Sequence, residues 1–252
     1  MRKIVAIANQ KRGVGKTTTA VTLAHGLAIK GHKVLLVDLD PQGQVASALG
    51  REHESGVFSW LVAGFTLADV VRSTGRDNLS FVPGNKRTSV AQVMLNFEGK
   101  TLKVMKKRLP EIDGAGFQAV IFDTAPQVGG LQEAALLASS QVIIPTATDY
   151  LSSEGVLKTL GTLAILREEH GWKGDVLGLL PTFFDSVTRE ATATLESLHR
   201  AFGDKLVLSP IHRATILREC ASEGMTIWEK APKSRAAEEY AELIWRVEDG
   251  AT

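Results

Sequence analysis

A glycine- and lysine-rich loop, QKRGVGKTTT at residues 10–19, is the stretch of this sequence best suited to chemistry. Gly13 and Gly15 allow the backbone to turn so that successive N–H groups point at phosphate oxygens. Lys16 can reach the β- and γ-phosphates of a nucleotide, and the hydroxyl of Thr17 can ligate Mg²⁺. A helix beginning at Thr17 would add its positive dipole end.

The segments on either side of the loop decide between two interpretations. A glycine-rich turn with a chance lysine is the simpler one. However, the apolar run KIVAIA predicts a buried parallel strand before the loop, and apolar residues at helical spacing predict a helix after it. This order favours a nucleotide site. Gln10 occupies the place of the usual first glycine of a phosphate loop, and Lys11 adds a second lysine.

Two further motifs place carboxylates at the ends of apolar strands. VLLVDLDPQGQ at residues 34–44 contains Asp38 and Asp40, which share one side of a strand at period two. AVIFDTAP at residues 119–126 ends its apolar run in Asp123, as a Walker B strand does. A solvated turn is the alternative for the first motif, and an ordinary apolar strand for the second. Beside a phosphate loop, acids here could hold Mg²⁺ or orient an attacking water.

Apolar runs and helical periodicity alternate along the chain. Further strands are predicted at 32–40, 79–84, 117–126, 140–147 and 174–184, with a possible seventh at 205–211. Helices are predicted around 57–73, 87–108, 130–138, 153–170, 188–202 and 234–247. The alternation predicts an α/β fold with a doubly wound, mostly parallel sheet and helices on both faces. Because no linker or repeat interrupts it, residues 1–252 are predicted to form a single domain.

Composition limits the partners and the cellular compartment that can be expected for the protein. The formal net charge is +1, so any surface for nucleic acid must be a local patch. Cys220 is the only cysteine, which excludes an intramolecular disulfide framework. The apolar run at the N-terminus is too short for a signal peptide, and no stretch is long enough to span a bilayer. A cytoplasmic protein is therefore expected.

Taken together, KRGVGKTTTA, VLLVDLDPQGQ and VIFDTAP resemble the motifs of the deviant Walker ATPases, and most closely those of the ParA type. The resemblance covers nearly the whole chain, including the stretches at 142–160 and 221–240. It implies a P-loop NTPase that hydrolyses ATP with Mg²⁺ and has weak basal activity. It also implies an ATP-sandwich homodimer, non-specific binding to double-stranded DNA, and a ParB-like or cargo-adaptor protein that stimulates hydrolysis.

The resemblance assigns roles residue by residue. Lys11 matches the family's signature lysine, which reaches across the dimer to the ATP of the partner subunit. Lys16 matches the ordinary P-loop lysine, Asp40 the acid that orients the hydrolytic water, and Asp123 the Walker B acid. Magnesium is expected at Thr17, Asp40 and Asp123. Nucleotide contacts are expected from Lys11, Arg12, Gly13, Val14, Gly15, Lys16, Thr17 and Thr18, and at the adenine from Thr182, Pro210 and Ile211.

Arg12 departs from the family pattern, which has glycine at this position. An arginine would be strained there if the backbone needs a positive φ. If the position lies where two subunits approach, the long cation needs room or a phosphate, and the dimer or nucleotide release could differ. The remaining alternative is an exposed side chain with no effect.

Basic residues near the C-terminus are the expected DNA contacts by the same resemblance. They are Arg189, Arg213, Arg218, Lys230, Lys233 and Arg235. Acids crowd the same region, so a mixed solvated surface is the alternative. The most basic run, KTLKVMKKRL at 100–109, is interpreted first as a solvated amphipathic helix and second as a contributor to DNA or partner binding.

The leading hypothesis is an ATPase that coats nucleoid DNA as a nucleotide-bound dimer and drives plasmid or chromosome partition. The same switch could instead position a protein cargo such as a carboxysome or chemoreceptor cluster. A low-turnover, nucleotide-bound adaptor is the alternative from a different class, supported by Arg12. The C-terminal stretch 236–252 is acidic, unlike the membrane-binding helix of the MinD branch, so no membrane partner is expected.

Overall fold

The computed structural model describes residues 3–126, 130–148 and 152–250, whose strands form one seven-stranded sheet. The strands are β1 (Lys3–Ile7), β2 (Val34–Asp38), β3 (Arg72–Arg76), β4 (Leu79–Val82), β5 (Ala119–Asp123), β6 (Gln141–Ala147) and β7 (Asp175–Thr182). Their order is β3-β4-β2-β5-β1-β6-β7. β3 is antiparallel to β4, and the other neighbouring strands are parallel.

Helices flank this sheet. They are α1 (Lys16–Ile29), α2 (Gln44–Ala48), α3 (Gly56–Leu61), α4 (Leu67–Val70), α5 (Arg87–Phe97), α6 (Val104–Gly114), α7 (Leu131–Ala138), α8 (Ser152–His170), α9 (Arg189–Phe202), α10 (Thr215–Glu223), α11 (Ile227–Lys230) and α12 (Arg235–Asp249), with a 3-10 turn at Thr101–Lys103. Among the described residues, none of these helices is long and apolar enough to cross a membrane.

Two apolar cores cover the two faces of the sheet. Along β5, Val120 and Phe122 belong to the core packed by α3 and α7, while Ala119 and Ile121 belong to the core packed by α1 and α12. Successive side chains of a strand point to opposite faces, so a strand covered on both sides must be apolar throughout. The apolar runs of the sequence therefore mark the central parallel strands.

Some sequence predictions of individual elements were wrong. Residues 205–211 do not form a strand, although Val207 forms an isolated bridge with Leu179 of β7 and the Ile211 amide donates to the Pro181 carbonyl. The helix predicted around 57–73 is interrupted by Gly64 at φ 82, and its last residues begin β3. β3 is short, polar and at the edge of the sheet, so it lacks the apolar pattern that reveals a central strand.

The strand register brings the two carboxylate motifs to the phosphate loop. Asp38, the last residue of β2, is directly opposite Asp123, the last residue of β5. Asp123 is in turn opposite Ile7, the last residue of β1. Parallel strands end at the same edge of a sheet, and ligands bind outside their carboxyl ends. The loop after β1 and the acids after β2 and β5 must therefore share one cleft.

Arg76 connects the antiparallel edge to the C-terminal helices. Its guanidinium donates to the carbonyl oxygens of Leu49 (3.0 Å) and Gly224 (2.8 Å) and pairs with the Glu229 carboxylate at 2.8 Å. The Arg76 side chain is only 9 % exposed. Burial opposes ionisation of Glu229, but the bonds from Arg76 and the Thr226 amide outweigh it and lower the pKa of Glu229.

We expect Glu229→Gln to lower the free energy of unfolding by about 1 kcal/mol near neutral pH, a value reduced by the partial exposure of Glu229. The lowered pKa in the folded state means that this stabilisation is present above the ordinary carboxyl pKa and is lost as the pH falls through the lowered one. Urea unfolding at neutral and acidic pH measures it. As a control, Glu98→Gln, which breaks the exposed pair with Lys100, should cost less than about 0.5 kcal/mol. Equal effects of the two substitutions would contradict the structural role of Arg76.

Candidate nucleotide site

The loop between β1 and α1 has the backbone shape that its glycines predicted. Gly13 and Gly15 lie in the left-handed region, at φ 70 and φ 83, and α1 begins at Lys16. The first N–H groups of an α-helix have no partner within the helix, so the start of α1 offers donors to an anion. Arg12 is exposed and is absent from the residues with positive φ, so its backbone is not strained.

Hydrogen bonds of the Asn9 and Thr182 side chains hold this loop in place. The side-chain oxygen of Asn9 accepts from the Lys11 amide at 2.8 Å, and its amide group donates to the Pro145 carbonyl on β6 at 2.8 Å. The hydroxyl of Thr182, at the end of β7, donates to the Val14 carbonyl at 3.0 Å. These bonds attach the loop to the ends of β6 and β7.

The two lysines of the loop are linked through backbone and side chain. The ammonium of Lys16 donates to the Lys11 carbonyl at 2.9 Å, and the Lys16 side chain is buried. Burial lowers the pKa of Lys16, opposed by the carboxylates of Asp123 and Asp40. A Cβ at Gly155 on α8 would lie 3.0 Å from the Cβ of Lys11, so the helix packs directly on the loop here. Residues 149–151, within the family-like stretch 142–160, lie outside the described residues.

The acids after β2 shape the loop that carries Asp40. One carboxylate oxygen of Asp38 accepts from the Asp40 amide at 3.1 Å, and the other accepts from the Val45 amide at 3.2 Å. Asp40 in turn accepts from the Gln42 amide at 2.9 Å. Burial, and next the Asp123 carboxylate, raise the pKa of Asp38 well above its ordinary value. Asp38 thus positions the loop, while the half-buried Asp40 lines the cleft.

The Asp123 carboxyl group is buried at the end of β5, next to the cleft. Both of its carboxylate oxygens are buried and have no hydrogen-bond partner among the described residues. Burial raises the pKa of Asp123 to about 7 and the Asp40 carboxylate adds to the rise, whereas Lys16 and the Thr17 hydroxyl oppose it without completing a hydrogen bond of good geometry. Buried carboxylates without partners are costly unless a cation coordinates them. The donor set of Asp123 and Thr17, with Asp40 close by, fits Mg²⁺, which prefers oxygen ligands.

A cleft of about 400 Å³ opens over these residues. Of the predicted phosphate and metal residues, its lining includes Arg12, Gly13, Gly15, Lys16, Thr17, Thr18 and Asp40. Val14 is buried below the loop, and Asp123 is buried at the end of β5. Sequence analysis missed Ser89 and Phe183, which also line the cleft.

A second cavity of about 350 Å³ adjoins the loop on the β7 side. Thr182 and Ile211 line it as predicted for the adenine, but Pro210 is not part of its lining. Phe183 lines both cavities and has φ 55, a conformation rare for a bulky residue. Nothing in the sequence indicates a left-handed phenylalanine after a strand, so this residue could be found only from the structure.

The six basic residues predicted to contact DNA are distributed unevenly. Arg213 and Arg218 line the second cavity beside the phosphate loop. Lys230 pairs with Glu223 and Glu219, and Arg235 pairs with Glu239. Arg189 and Lys233 are exposed. Two of the six therefore border the candidate nucleotide site, two are paired with acids, and two are exposed.

A family model described as AAA domain matches residues 2–173. The chain is 36% identical over 250 residues to the sporulation initiation inhibitor protein Soj of Bacillus subtilis (strain 168), with 98% of each chain covered. It is also 36% identical over 243 residues to the chromosome-partitioning ATPase Soj of Thermus thermophilus, with 96% of this chain and 94% of the relative covered.

The chain belongs to the ParA/MinD-type deviant Walker A ATPases. A solved relative, cobyrinic acid a,c-diamide synthase from Mycobacterium smegmatis with bound ADP and magnesium, superposes with a TM-score of 0.83 at 30% identity. The alignment covers 97% of this chain and 93% of that one. The α/β fold class with a mostly parallel sheet, predicted from the sequence, is confirmed.

We expect Asp123→Asn to stabilise the nucleotide-free ATPase while weakening any Mg²⁺-dependent nucleotide binding. The folded protein holds a proton on Asp123 more tightly than the unfolded chain does, so stability falls as the pH rises from the ordinary value of 3.8 to about 7. The substitution should add about 1–3 kcal/mol to the free energy of unfolding at about pH 8, and less at about pH 5. Chemical denaturation at both pH values tests this.

Asp175→Asn is the matched control, because the Asp175 side chain is 79% exposed at the start of β7. It should change stability by less than about 0.5 kcal/mol at either pH. A loss of stability in Asp123→Asn at the higher pH would show that the Asp123 carboxylate is satisfied in the folded protein, contrary to the structure.

Proposed function

We propose that this protein is a Mg²⁺-dependent ATP hydrolase that forms an ATP-sandwich homodimer, binds DNA non-specifically and drives plasmid or chromosome partition. The observation that carries the proposal is the convergence of Lys11, Lys16, Asp40 and Asp123 at one edge of the sheet. A phosphate loop alone would support only nucleotide binding. The additional lysine and the two acids supply what phosphoryl transfer to water requires.

The cleft residues divide the chemistry among themselves. The backbone of the loop and the ammonium of Lys16 hold the phosphates, and Thr17, Asp40 and Asp123 are the residues that would hold Mg²⁺. When bound, Mg²⁺ neutralises charge on the phosphates. Asp40 is placed on the cleft wall by Asp38 and orients the attacking water. The second cavity, with Thr182 and Ile211 in its wall, takes the adenine, whereas Pro210 does not belong to that wall.

Lys11 is proposed to act in the partner subunit's site. Its ammonium would neutralise charge developing on the transferred phosphoryl group, as an arginine finger does. ATP then becomes part of the dimer interface, and the nucleotide state controls assembly. Arg12 is proposed to add charge near the phosphates. Its unstrained, exposed position removes the argument from backbone strain for a low-turnover adaptor.

The partition role is supported by the name of the Thermus thermophilus relative, a chromosome-partitioning ATPase, and by similarity to it over 96% of this chain. The dimer would hold DNA through basic residues of the C-terminal half, among which Arg189 and Lys233 are the most available because they are exposed. A ParB-like or cargo-adaptor protein would stimulate hydrolysis and release the DNA. The protein would then work as a single ATPase domain in the cytoplasm, on the nucleoid and without a membrane partner.

We expect Lys11→Ala to lower partner-stimulated turnover by about 10²–10³-fold while changing ATP affinity much less, because the lost contact forms in the transition state. The substitution keeps the Lys11 carbonyl that accepts from Lys16, so the loop should hold its shape. Phosphate release and nucleotide titration measure the two effects separately. Lys16→Ala is the contrasting variant and should lose nucleotide affinity itself. Parallel losses of affinity and turnover in Lys11→Ala would place Lys11 in ground-state binding only.

We expect the ATP-bound protein, but not the ADP-bound protein, to bind a DNA duplex of arbitrary sequence. Its affinity for the duplex should fall as the salt concentration rises. Arg189→Glu with Lys233→Glu should weaken it by about tenfold or more, since both residues would face phosphates. Lys173→Glu, at another exposed lysine, should have little effect. Binding that is absent, or equal with both nucleotides, would contradict the switch.

A further inference from the structure

Helix α5 carries an apolar stripe that no other described part of the chain covers. Val90, Val93, Met94 and Phe97 follow one another at helical spacing and are 47%, 66%, 41% and 94% exposed. Single exposed apolar residues are ordinary, but a continuous stripe on one helix face indicates a contact surface. The chemistry proposed for the nucleotide cleft does not use these four side chains.

The stripe continues into a groove between helices α3, α5 and α6, which we call the α5 groove. Its volume is about 460 Å³, and its apolar walls are Leu61, Val62, Met94, Leu95 and Val104. Met94 belongs to both the stripe and the groove. The apolar surface is therefore concave on one side and open on the other, a shape that accepts one face of a helix.

The rim of the α5 groove is basic. Lys100, Lys107 and Arg108 line it together with Glu98. Lys100 pairs with Glu98 at 2.8 Å and Arg108 pairs with Glu111, whereas Lys107 forms no salt bridge within the described residues. Residues 86–108 contain seven lysines and arginines and no acid besides Glu98, although the whole chain has a net charge of only +1. The sequence run at 100–109, interpreted first as a solvated helix, thus borders an apolar groove. Duplex DNA would gain nothing from the apolar walls, whereas an acidic amphipathic helix satisfies both the walls and the rim.

We propose that the α5 groove is the docking site for an acidic amphipathic helix of a partner protein. Apolar residues of that helix would pack against Met94, Leu95 and Phe97, and its acids would face Lys100 and Lys107. The partner is identified here by chemistry alone: leucine-like residues at helical spacing, flanked by glutamate or aspartate.

The segment just before α5 packs against the Asp38–Asp40 backbone, and α5 itself is hydrogen-bonded to the start of α7. A Cβ at Gly84, just before α5, would overlap the Asp38 carbonyl oxygen and lie 3.1 Å from that of Asp40. Farther along α5, the side-chain oxygen of Gln92 accepts from the Leu131 amide, in the segment that follows Asp123. Occupation of the groove is therefore coupled to the loops that carry the two acids. This coupling, unlike the docking itself, rests on the proposed nucleotide function.

The test uses the full chain and two labelled synthetic peptides of about 15 residues, long enough for four helical turns. Both carry leucine at one helix face; one carries glutamate elsewhere and the other lysine. Fluorescence anisotropy should show the glutamate peptide binding at least about tenfold more tightly, with a preference that weakens in salt. Lys100→Glu with Lys107→Glu should reverse the preference, an outcome that a merely damaged fold could not give.

The double substitution Val93→Ser with Phe97→Ser should lower the affinity for the glutamate peptide by about tenfold or more, because both side chains are exposed and would anchor the peptide. The matched control is Ile29→Ser with Ile165→Ser, which removes two apolar side chains that are 60% and 53% exposed elsewhere. It should leave binding unchanged. Equal binding of both peptides, or equal losses in the two double variants, would overturn the proposal.

Other occupants give distinct results. Binding to vesicles with about 30 mol % phosphatidylglycerol tests a membrane as the occupant, and binding to a duplex of about 30 base pairs tests DNA. Sedimentation of the protein alone tests self-association. If Val93→Ser with Phe97→Ser abolishes one of these and leaves the peptide unaffected, the acidic helix is the wrong occupant. For the coupling, glutamate-peptide affinity should differ by at least about threefold between the nucleotide-free and ATP-saturated protein. If ATP is shown to bind and the peptide affinities of the two states are equal, the coupling is wrong, although the docking site is not contradicted. If ATP does not bind, the result counts against the proposed function.

Discussion

The buried carboxylate of Asp123 is the constraint around which the cleft is organised. It lies at the end of β5, opposite Asp38 on β2 and Ile7 on β1, and neither of its oxygens has a hydrogen-bond partner among the described residues. Such an arrangement is costly in the empty protein, and close carboxylates raise the cost. The free-energy cost of burying this carboxylate is offset only when a cation binds beside it. The lysines of the neighbouring loop fit this need for positive charge, and a metal–nucleotide complex is the proposed ligand.

The surroundings hold that site in shape before a ligand binds. Asn9 and Thr182 attach the phosphate loop to β6 and β7, and Asp38 fixes the loop that carries Asp40. Most of these bonds use buried side chains against backbone groups, so they cost little entropy when the nucleotide enters. Preorganisation of this kind favours catalysis, because the groups that stabilise the transition state need not be moved into place.

The sequence predicted the central part of the fold because buried parallel strands must be apolar on both faces, as VLLVD of β2 and AVIFD of β5 are. It predicted the meeting of the acids and the loop because parallel strands end at one edge. The sequence pattern did not reveal β3, which is polar and at the edge, and it predicted a strand at 205–211, where the backbone contacts β7 only at isolated positions. The left-handed Phe183 and the seat of Gly84 against Asp38 depend on tertiary contacts that no local pattern records.

A nucleotide cleft, a second subunit and a partner surface would meet at one edge of the sheet and the helix beside it. Lys11 is proposed to complete the nucleotide site of a neighbouring copy. The most direct measurement is a crystal structure with Mg²⁺ and a non-hydrolysable ATP analogue. The account predicts two copies enclosing two nucleotides, with the Lys11 ammonium of each about 3 Å from the terminal phosphate held by the other. A dimer in which Lys11 points to solvent, or a monomer with the analogue fully bound, would contradict it.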